Sequence, residues 1–287
     1  MKSLKEHILE GILDIEDNIN IDSSEITKDA IEKFLKDNYN IDTYTIKNVN
    51  NKFIVDVKGY VGVKNENITS LTNEFFEFGS VSGDFYCSCC ISLIDLKGAP
   101  KEVKRSFCCN NCKSLKSLEG APQKTGGDFY CNDCKLLNTL EGAPKEVGGS
   151  FYCIDCKSLT TLEGAPKEVG GSFYCSECIL LKTLKGAPKE VGGSFYCSDC
   201  KSIKTLEGAP KEVRNHFDCS NCKSLKTLEG APEKVRGFFN CSYCDNLISL
   251  EGAPQKVGGD FYCKNCVIHF KKYDVEKYTK VTKNIYV

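Results

Sequence analysis

The sequence is poor in several features that mark common protein classes. Its 287 residues include only 8 prolines, all of them in Gly-Ala-Pro triplets, which excludes a collagen-like or proline-rich disordered chain. Lysine and arginine (38) balance aspartate and glutamate (39), so the net charge of −1 argues against nucleic-acid binding through bulk electrostatics. No apolar run approaches the roughly 20 residues of a membrane helix, and the charged first ten residues lack a signal-peptide core. We therefore expect a cytoplasmic monomer with neither a nucleic-acid nor a membrane partner.

Cysteine is the abundant exception, with 20 residues. In the reducing compartment that we expect, disulfides are rare, so metal ligation, catalysis or burial must explain the thiols. Eighteen of them form two series, each with a cysteine at every twenty-second position, and only Cys89 and Cys108 fall outside. The first series consists of Cys87, Cys109, Cys131, Cys153, Cys175, Cys197, Cys219, Cys241 and Cys263. The second series consists of Cys90, Cys112, Cys134, Cys156, Cys178, Cys200, Cys222, Cys244 and Cys266.

A fixed period of this length indicates a solenoid of stacked coils. Around Phe151 and Cys153, inward and outward residues alternate with the period of a strand, and Cys156 and two leucines follow at a spacing of three. Gly-Ala-Pro then turns the chain, and Val169 points inward again before a Gly-Gly turn. Each unit predicts one short strand, a loose return arm and two turns. Nine units predict a β-solenoid with one parallel sheet, its strands about 4.8 Å apart.

The pattern F-x-C-x-x-C-x-x-L-x-x-L resembles the leucine-rich repeat L-x-L-x-x-N/C-x-L. Phe151 and Cys153 take the two strand leucines, and Cys156 takes the Asn/Cys position. The unit as a whole is closer to cysteine-rich, leucine-rich-repeat-like proteins of phages and gut bacteria with L-E-G-A-P-x-x-V-G-G repeats, over about residues 84–266. The second strand leucine is cysteine in all nine coils, and the return arm lacks a helix. The resemblance implies the fold and a cytoplasmic or phage origin, and no known activity.

The ends of the chain differ from the repeats and predict caps. Helical spacing runs from Leu4 to Leu13, and Ser23 or Ser24 is the predicted N-cap of a second helix. Residues 44–46 and 53–57 predict a hairpin, so the N-terminal cap is a small α+β unit. Open solenoid ends expose apolar surface and strand edges, which such caps cover. The predicted regions are an N-terminal cap at 1–80, the nine-coil solenoid at 81–266 and a C-terminal cap at 267–287.

The spacing C-x2-C-x18-C-x2-C of adjacent coils lies within the range of four-cysteine metal sites. Stacking predicts that four thiols meet between two coils, with all eighteen periodic cysteines as ligands. About four sites follow, two coils each, with one C-x-x-C pair left over. Stacked thiols start about 4.8 Å apart, wider than the ~3.8 Å between the sulfurs of a zinc site, which favours iron–sulfur clusters such as [4Fe–4S] over zinc. Electron transfer or storage with a redox partner is the predicted use.

Two other interpretations of the thiols stay open. Cysteine also serves as a small buried apolar residue, and recent duplication preserves any residue, as it has the repeated Phe. Redox or disulfide chemistry is the third interpretation. If the thiols are structural, the chain is an interaction module whose protein partner binds a row of outward tyrosines, interrupted by Cys108, Asp218 and Asn240. Stacking for stability explains the same row. The row consists of Tyr86, Tyr130, Tyr152, Tyr174, Tyr196 and Tyr262.

An enzyme is the least supported class. No acid–base pair or nucleophile pair is evident, and the Gly-Gly turns lack the G-x-G-x-x-G pattern of a dinucleotide site. His7, His216 and His269 lie far apart in sequence, and we expect each of them on ordinary surface. Cys89 and Cys108 are off the inward register and are excluded as primary ligands. Lysines that follow the second cysteine, as at Lys157, either offset thiolate charge or simply keep the surface soluble.

Overall fold

The computed structural model describes residues 27–50, 52–73 and 76–287. The helix predicted over Leu4–Leu13 lies outside them. The second helix is present as α1 (Lys28–Asn38), and it buries Ile31, Phe34 and Leu35 on one face. Its N-cap is Thr27, whose Oγ1 accepts from the amide of Ala30 at 3.2 Å. The prediction of a serine cap is therefore wrong, because the helix begins only at Lys28.

The predicted hairpin is confirmed as two long antiparallel strands, β1 (Tyr39–Val49) and β2 (Lys52–Val63). A third strand, β3 (Phe76–Val81), pairs with β2 in parallel. The far end of β2 also pairs with the first coil, with Val61 opposite Phe85. Since β2 lies between β1 and the first coil, the cap continues the sheet of the solenoid and occupies its first edge.

Each coil contributes two strands of two residues rather than the single strand that the sequence predicts. We refer to the two parallel stacks as the Phe ladder and the Val ladder. The Phe ladder consists of Phe85–Tyr86, Phe107–Cys108, Phe129–Tyr130, Phe151–Tyr152, Phe173–Tyr174, Phe195–Tyr196, Phe217–Asp218, Phe239–Asn240, Phe261–Tyr262 and Ile285–Tyr286. The Val ladder consists of Glu102–Val103, Lys124–Thr125, Glu146–Val147, Glu168–Val169, Glu190–Val191, Glu212–Val213, Lys234–Val235, Lys256–Val257 and Lys280–Val281.

The core is built from columns of like residues, because in-register parallel pairing places each coil's side chain on its counterpart in the next. Phe151 lies opposite both Phe129 and Phe173, and all three rings are fully buried. Neighbouring Phe rings stack at 5.2–5.5 Å from Phe85 to Phe261. The inward positions predicted for cysteine, leucine and valine are confirmed, since these columns are buried as well. The solenoid has about 11 coils when the flanking rungs are included.

The coils approach closely at the first position of the Gly-Gly turn, which is glycine in most coils. A Cβ on Gly170 would lie 2.2 Å from the carbonyl oxygen of Gly148, and one on Gly192 would lie 2.0 Å from that of Gly170. The next two residues in this column are Arg214 and Arg236. The Val ladder divides at Arg214, because Val191 pairs with the coil before it and Val213 with the coil after it. At Arg236 the ladder is continuous, and the Arg236 amide donates to the carbonyl oxygen of Val213 at 3.1 Å.

The C-terminal residues form a last, modified coil. Helix α2 (Lys272–Glu276) buries Val275, and Phe270 is buried beside it. The strands that follow extend both ladders, with Val281 opposite Val257 and Ile285 opposite Phe261. No helix among the described residues is long and apolar enough to cross a membrane.

Candidate functional site

All eighteen periodic cysteines lie in the core, in two columns that run the length of the nine coils. We call them the first and second Cys of each coil. The first Cys follows the Phe strand directly. The second follows a residue in the left-handed region, as at Asp155 with φ +58°. Nine successive coils repeat this conformation, with φ between 54° and 63°, mostly at Asp or Asn, which tolerate it best. This turn returns the second thiol to the interior.

The second Cys of each coil contacts the coil before it. Cys156 Sγ donates to the carbonyl oxygen of Cys131 at 3.2 Å, and Cys178 Sγ donates to that of Cys153 at 3.2 Å. The second Cys of every coil from Cys112 to Cys266 makes the same bond to the Cys 25 positions earlier in the chain, at 3.1–3.4 Å. In every coil after the first, the second thiol is therefore held against the first Cys of the preceding coil.

The first Cys contacts the coil after it. Cys131 Sγ donates to the carbonyl oxygen of Tyr152 at 3.3 Å, and Cys153 Sγ donates to that of Tyr174 at 3.3 Å. Cys109, Cys219 and Cys241 do the same at 3.3–3.4 Å. Each thiol has only one weak donor, so these bonds satisfy, in the protonated form, the thiols that make them.

Burial keeps the thiols protonated. Burial raises the pKa of the Cys153 thiol well above its usual range, and the adjacent thiol of Cys178 raises it further. Burial and the adjacent Cys156 thiol act in the same direction on the pKa of Cys131. At neutral pH the thiols whose pKa is raised in this way, such as Cys131 and Cys153, are neutral S–H groups, which is the unreactive state of cysteine.

The thiols do not gather as predicted into sets of four between two coils. All twenty cysteines lie among the described residues and all are free thiols. Within that part of the chain, no three side chains of His, Cys, Asp or Glu are grouped so that they hold a metal ion. The hydrogen bonds give the physical reason, because most of the thiols, including the second Cys of every coil after the first, are turned toward backbone carbonyls. Metal ligation stays a prediction, and it requires the thiols to turn away from these acceptors.

The two cysteines outside the columns have different surroundings. Cys108 takes the tyrosine position of its coil, opposite Tyr86 and Tyr130, and is 7% exposed. Burial raises its pKa to about 12. Cys89 takes the left-handed position with φ +63°, is partly exposed, and accepts from Asn111 Nδ2 at 3.5 Å.

The lysines after the second Cys form ion pairs along the outer surface. Lys113 pairs with Asp133, and Lys223 pairs with Asp245 at 2.9 Å. Lys135 bridges Asp133 and Asp155. Their main partners are carboxylates of neighbouring coils rather than the thiols, which favours the solubility interpretation of these lysines.

The outward tyrosines stack on one another. Ring centroids lie 4.6 Å apart between Tyr130 and Tyr152, 4.5 Å between Tyr152 and Tyr174, and 4.8 Å between Tyr174 and Tyr196. The ring faces are therefore covered by neighbouring rings, and the row presents edges to solvent. Stacking alone explains these four tyrosines, and no protein partner is needed to account for them.

A polar column that sequence reasoning missed lies just before each Phe strand. Asp128 Oδ1 accepts from the amide of Ser150 at 2.6 Å, and Ser150 Oγ accepts from that of Ser172 at 2.9 Å. His216 belongs to this column and is half-buried rather than on ordinary surface, and its Nδ1 accepts from the amide of Phe238 at 3.0 Å. The recurrence of acceptor side chains before each Phe was the available signal.

No protein-family model matches this chain, and neither a curated protein nor a solved structure resembles it at a significant level.

Proposed function

We propose that the two thiol columns are the binding sites of a linear array of thiolate-ligated metal centres, with iron–sulfur clusters preferred and zinc as the alternative. The observation that carries the proposal is the continuity of the columns. Every one of nine coils places two buried thiols next to the thiols of its neighbours, over the whole length of the repeat. All-sulfur donor sets are those that zinc and iron–sulfur clusters select.

Packing alone explains the columns less well. A small buried apolar position accepts alanine, valine or serine as well as cysteine, yet neither column contains one in eighteen positions. Two other core columns do vary, with Ile203 among one set of leucines and Thr125 among the valines, while the column of Leu162 consists of leucine alone. The Phe column is equally constant, but each Phe fills a ring stack that a smaller side chain leaves empty. No comparable requirement of volume restricts the thiol positions to cysteine.

The protein's own contribution to loading is the release of protons. Each ligand must lose the S–H proton and turn from its carbonyl acceptor, so binding competes with the hydrogen bonds that stabilise the metal-free core. An iron–sulfur cluster, when bound, supplies one-electron redox chemistry. Thiols distributed over successive coils suit an iron–sulfur cluster, whose ligands are spread over several irons, better than a single zinc ion. Electron transfer or storage in the cytoplasm, with a redox partner, is the use that such an array supports.

The test is metal and acid-labile sulfide analysis of chain purified without oxygen, before and after reconstitution with iron and sulfide. We expect bound iron, sulfide and a brown chromophore. The double variant Cys153→Ser/Cys156→Ser should bind less, and Cys89→Ser is the matched control because Cys89 lies outside the columns. Colourless protein without iron or zinc, also after reconstitution, would overturn the proposal and leave the interaction module as the better explanation.

A further inference from the structure

We infer that the ligand unit of this core is not the C-x-x-C pair of one coil but the pair formed between coils, by the first Cys of one coil and the second Cys of the next. This inference rests on the proposed function and assigns its ligands. The units are Cys87/Cys112, Cys109/Cys134, Cys131/Cys156, Cys153/Cys178, Cys175/Cys200, Cys197/Cys222, Cys219/Cys244 and Cys241/Cys266.

The hydrogen bonds of the second Cys establish the pairing. Cys156 Sγ lies 3.2 Å from the carbonyl oxygen of Cys131 in the preceding coil. The same contact is present in all eight possible pairs, with a range of only 3.1–3.4 Å. The offset of one coil is therefore a constant property of the stack and not a local deviation.

Thiol–thiol proximity gives the same pairing along most of the solenoid. The thiol with the largest effect on the pKa of Cys131 is that of Cys156, and the thiol with the largest effect on the pKa of Cys219 is that of Cys244. Cys109, Cys153 and Cys197 likewise interact most with the second Cys of the next coil. Cys87 and Cys175 interact most with the second Cys of their own coil instead, and Cys241 interacts most with Cys263, so the offset rests chiefly on the hydrogen bonds.

The two ends of the columns are left without a partner unit. Cys90 belongs to the first coil, and its Sγ contacts the carbonyl of Asn65 in the N-terminal cap at 3.9 Å. Cys263 belongs to the ninth coil, and the modified coil that follows contains no cysteine. The assignment therefore removes Cys90 and Cys263 from the predicted ligands. Eight units remain, which form four sites of four thiols with no unit to spare.

Two double variants distinguish pairing between coils from pairing within coils. Each variant removes two thiols. Cys131→Ser/Cys156→Ser breaks one unit if units form between coils, and two C-x-x-C pairs if they form within coils. Cys131→Ser/Cys134→Ser has the opposite effect. After anaerobic reconstitution with iron and sulfide, we expect more iron in the first variant than in the second. The double variant Cys90→Ser/Cys263→Ser should retain the iron content of the unchanged chain, because it breaks no unit between coils, whereas it leaves only seven C-x-x-C pairs within coils.

Deletion of one coil provides the second arm. Removing residues 150–171 in register joins Gly149 to Ser172 and keeps the sequence of the turn, and repeat proteins tolerate such deletions. Eight coils then hold seven units between coils, so the site count should fall from four to three. Pairing within coils predicts four sites in both proteins. Circular dichroism of the deletion variant checks that it is folded.

The outcomes separate the inference from the proposed function. If no protein in the series binds iron or zinc, the proposed function fails and the inference with it. If the unchanged chain binds metal but the deletion retains four sites, or Cys90→Ser/Cys263→Ser lowers the iron content, the proposed function stands and pairing between coils is wrong. Three sites in the deletion and full iron content in Cys90→Ser/Cys263→Ser support the assignment.

Discussion

The backbone amide of Phe238 donates to Nδ1 of His216 at 3.0 Å, and the two rings stack with centroids 4.0 Å apart. Neighbouring coils make the same bond with Ser194, Ser172 or Asp128 as the acceptor. His216 is therefore a titratable residue in a column that otherwise consists mainly of hydroxyl and carboxylate acceptors. Nδ1 accepts a hydrogen bond only while it carries no proton.

The His216 contact makes the stability of the fold depend on pH. Burial lowers the pKa of His216 from its ordinary value of 6.5, so the unfolded chain binds this proton more tightly than the folded chain. The stabilisation is present above pH 6.5 and is lost as the pH falls below it. When the pH falls from 7.5 to 5, the unfolding free energy of the unchanged chain should decrease by about 1 kcal/mol more than that of His216→Ser. Urea titrations at the two pH values measure this difference. Serine is the acceptor in other coils and does not titrate.

The close approach of glycines predicts a clear effect of Gly170→Ala. An alanine Cβ would lie 2.2 Å from the Gly148 oxygen, so the coils must separate. The reduced entropy of the unfolded chain favours alanine by about 0.4–1 kcal/mol, but overpacking costs about 1–3 kcal/mol and outweighs it. We expect a lower urea midpoint. Arg214→Ala is the control in the same column and should change the unfolding free energy by less than ~0.5 kcal/mol. Equal effects of the two variants would contradict this account.

Burial predicts the reactivity of the thiols. Of the twenty cysteines, only Cys89 is partly exposed, and the other nineteen are buried. A metal-free, reduced sample should react quickly with Ellman's reagent at one thiol per chain, and at the others only after unfolding. Cys89→Ser should abolish the fast phase, while Cys108→Ser should leave it intact. A fast phase of several thiols in the folded chain would show that the columns are open to solvent.

The tyrosine row predicts a stability effect that depends on stacking. Tyr152 stacks on both sides, whereas Tyr86 is 41% exposed and lies between Gly62 and Cys108. Tyr152→Ser loses two aromatic pairs of about 0.5–1.5 kcal/mol each, and Tyr86→Ser loses none. We expect the unfolding free energy to fall by about 1–3 kcal/mol in the first variant and by clearly less in the second. If both variants are as stable as the unchanged chain, the row is not a packing feature and partner binding gains support.

Metal uptake should depend steeply on pH. Burial raises the pKa of Cys131, Cys153 and Cys219, so these thiols are protonated at both pH 6 and pH 8, and every ligand thiolate formed releases one proton. A four-thiol site then gains up to about 10⁴-fold in apparent Zn²⁺ affinity for each unit of pH. Competition with a chelator between pH 6 and pH 8 measures the slope. An affinity that does not change with pH would show that zinc binds outside the thiol columns.

Much of the solenoid was predictable because it is written in columns. The length of the repeat, the burial of Phe151, Cys153, Cys156 and Leu162, and the hairpin of the cap all follow from spacing and alternation. The second strand of each coil did not, because Glu168–Val169 is too short for an alternation to be visible. Strands of two residues exist only through the neighbouring coil.

The arrangement of the thiols was only half predictable. Their inward direction follows from the period, but the partner of each thiol depends on the offset between stacked coils. Cys156 is three residues from Cys153 in sequence and is hydrogen-bonded to Cys131 in the structure. Sequence spacing suggested sets of four between two coils, whereas the offset distributes each pair over two coils. The left-handed turn at Asp155 was predictable in principle from the Asp or Asn before the second Cys.

The near identity of the coils has a consequence for how the chain finds its register. A coil that docks on the second-next coil buries the same Phe, the same thiols and the same leucines as the correct neighbour, so the core alone cannot reject a slip by one whole coil. The irregular positions can. Arg214 lies where the Val ladder divides, and Cys108 interrupts the tyrosine row at one place. We expect these exceptions to the repeat to define the register of the coils during folding. A chain of nine consensus coils would have none.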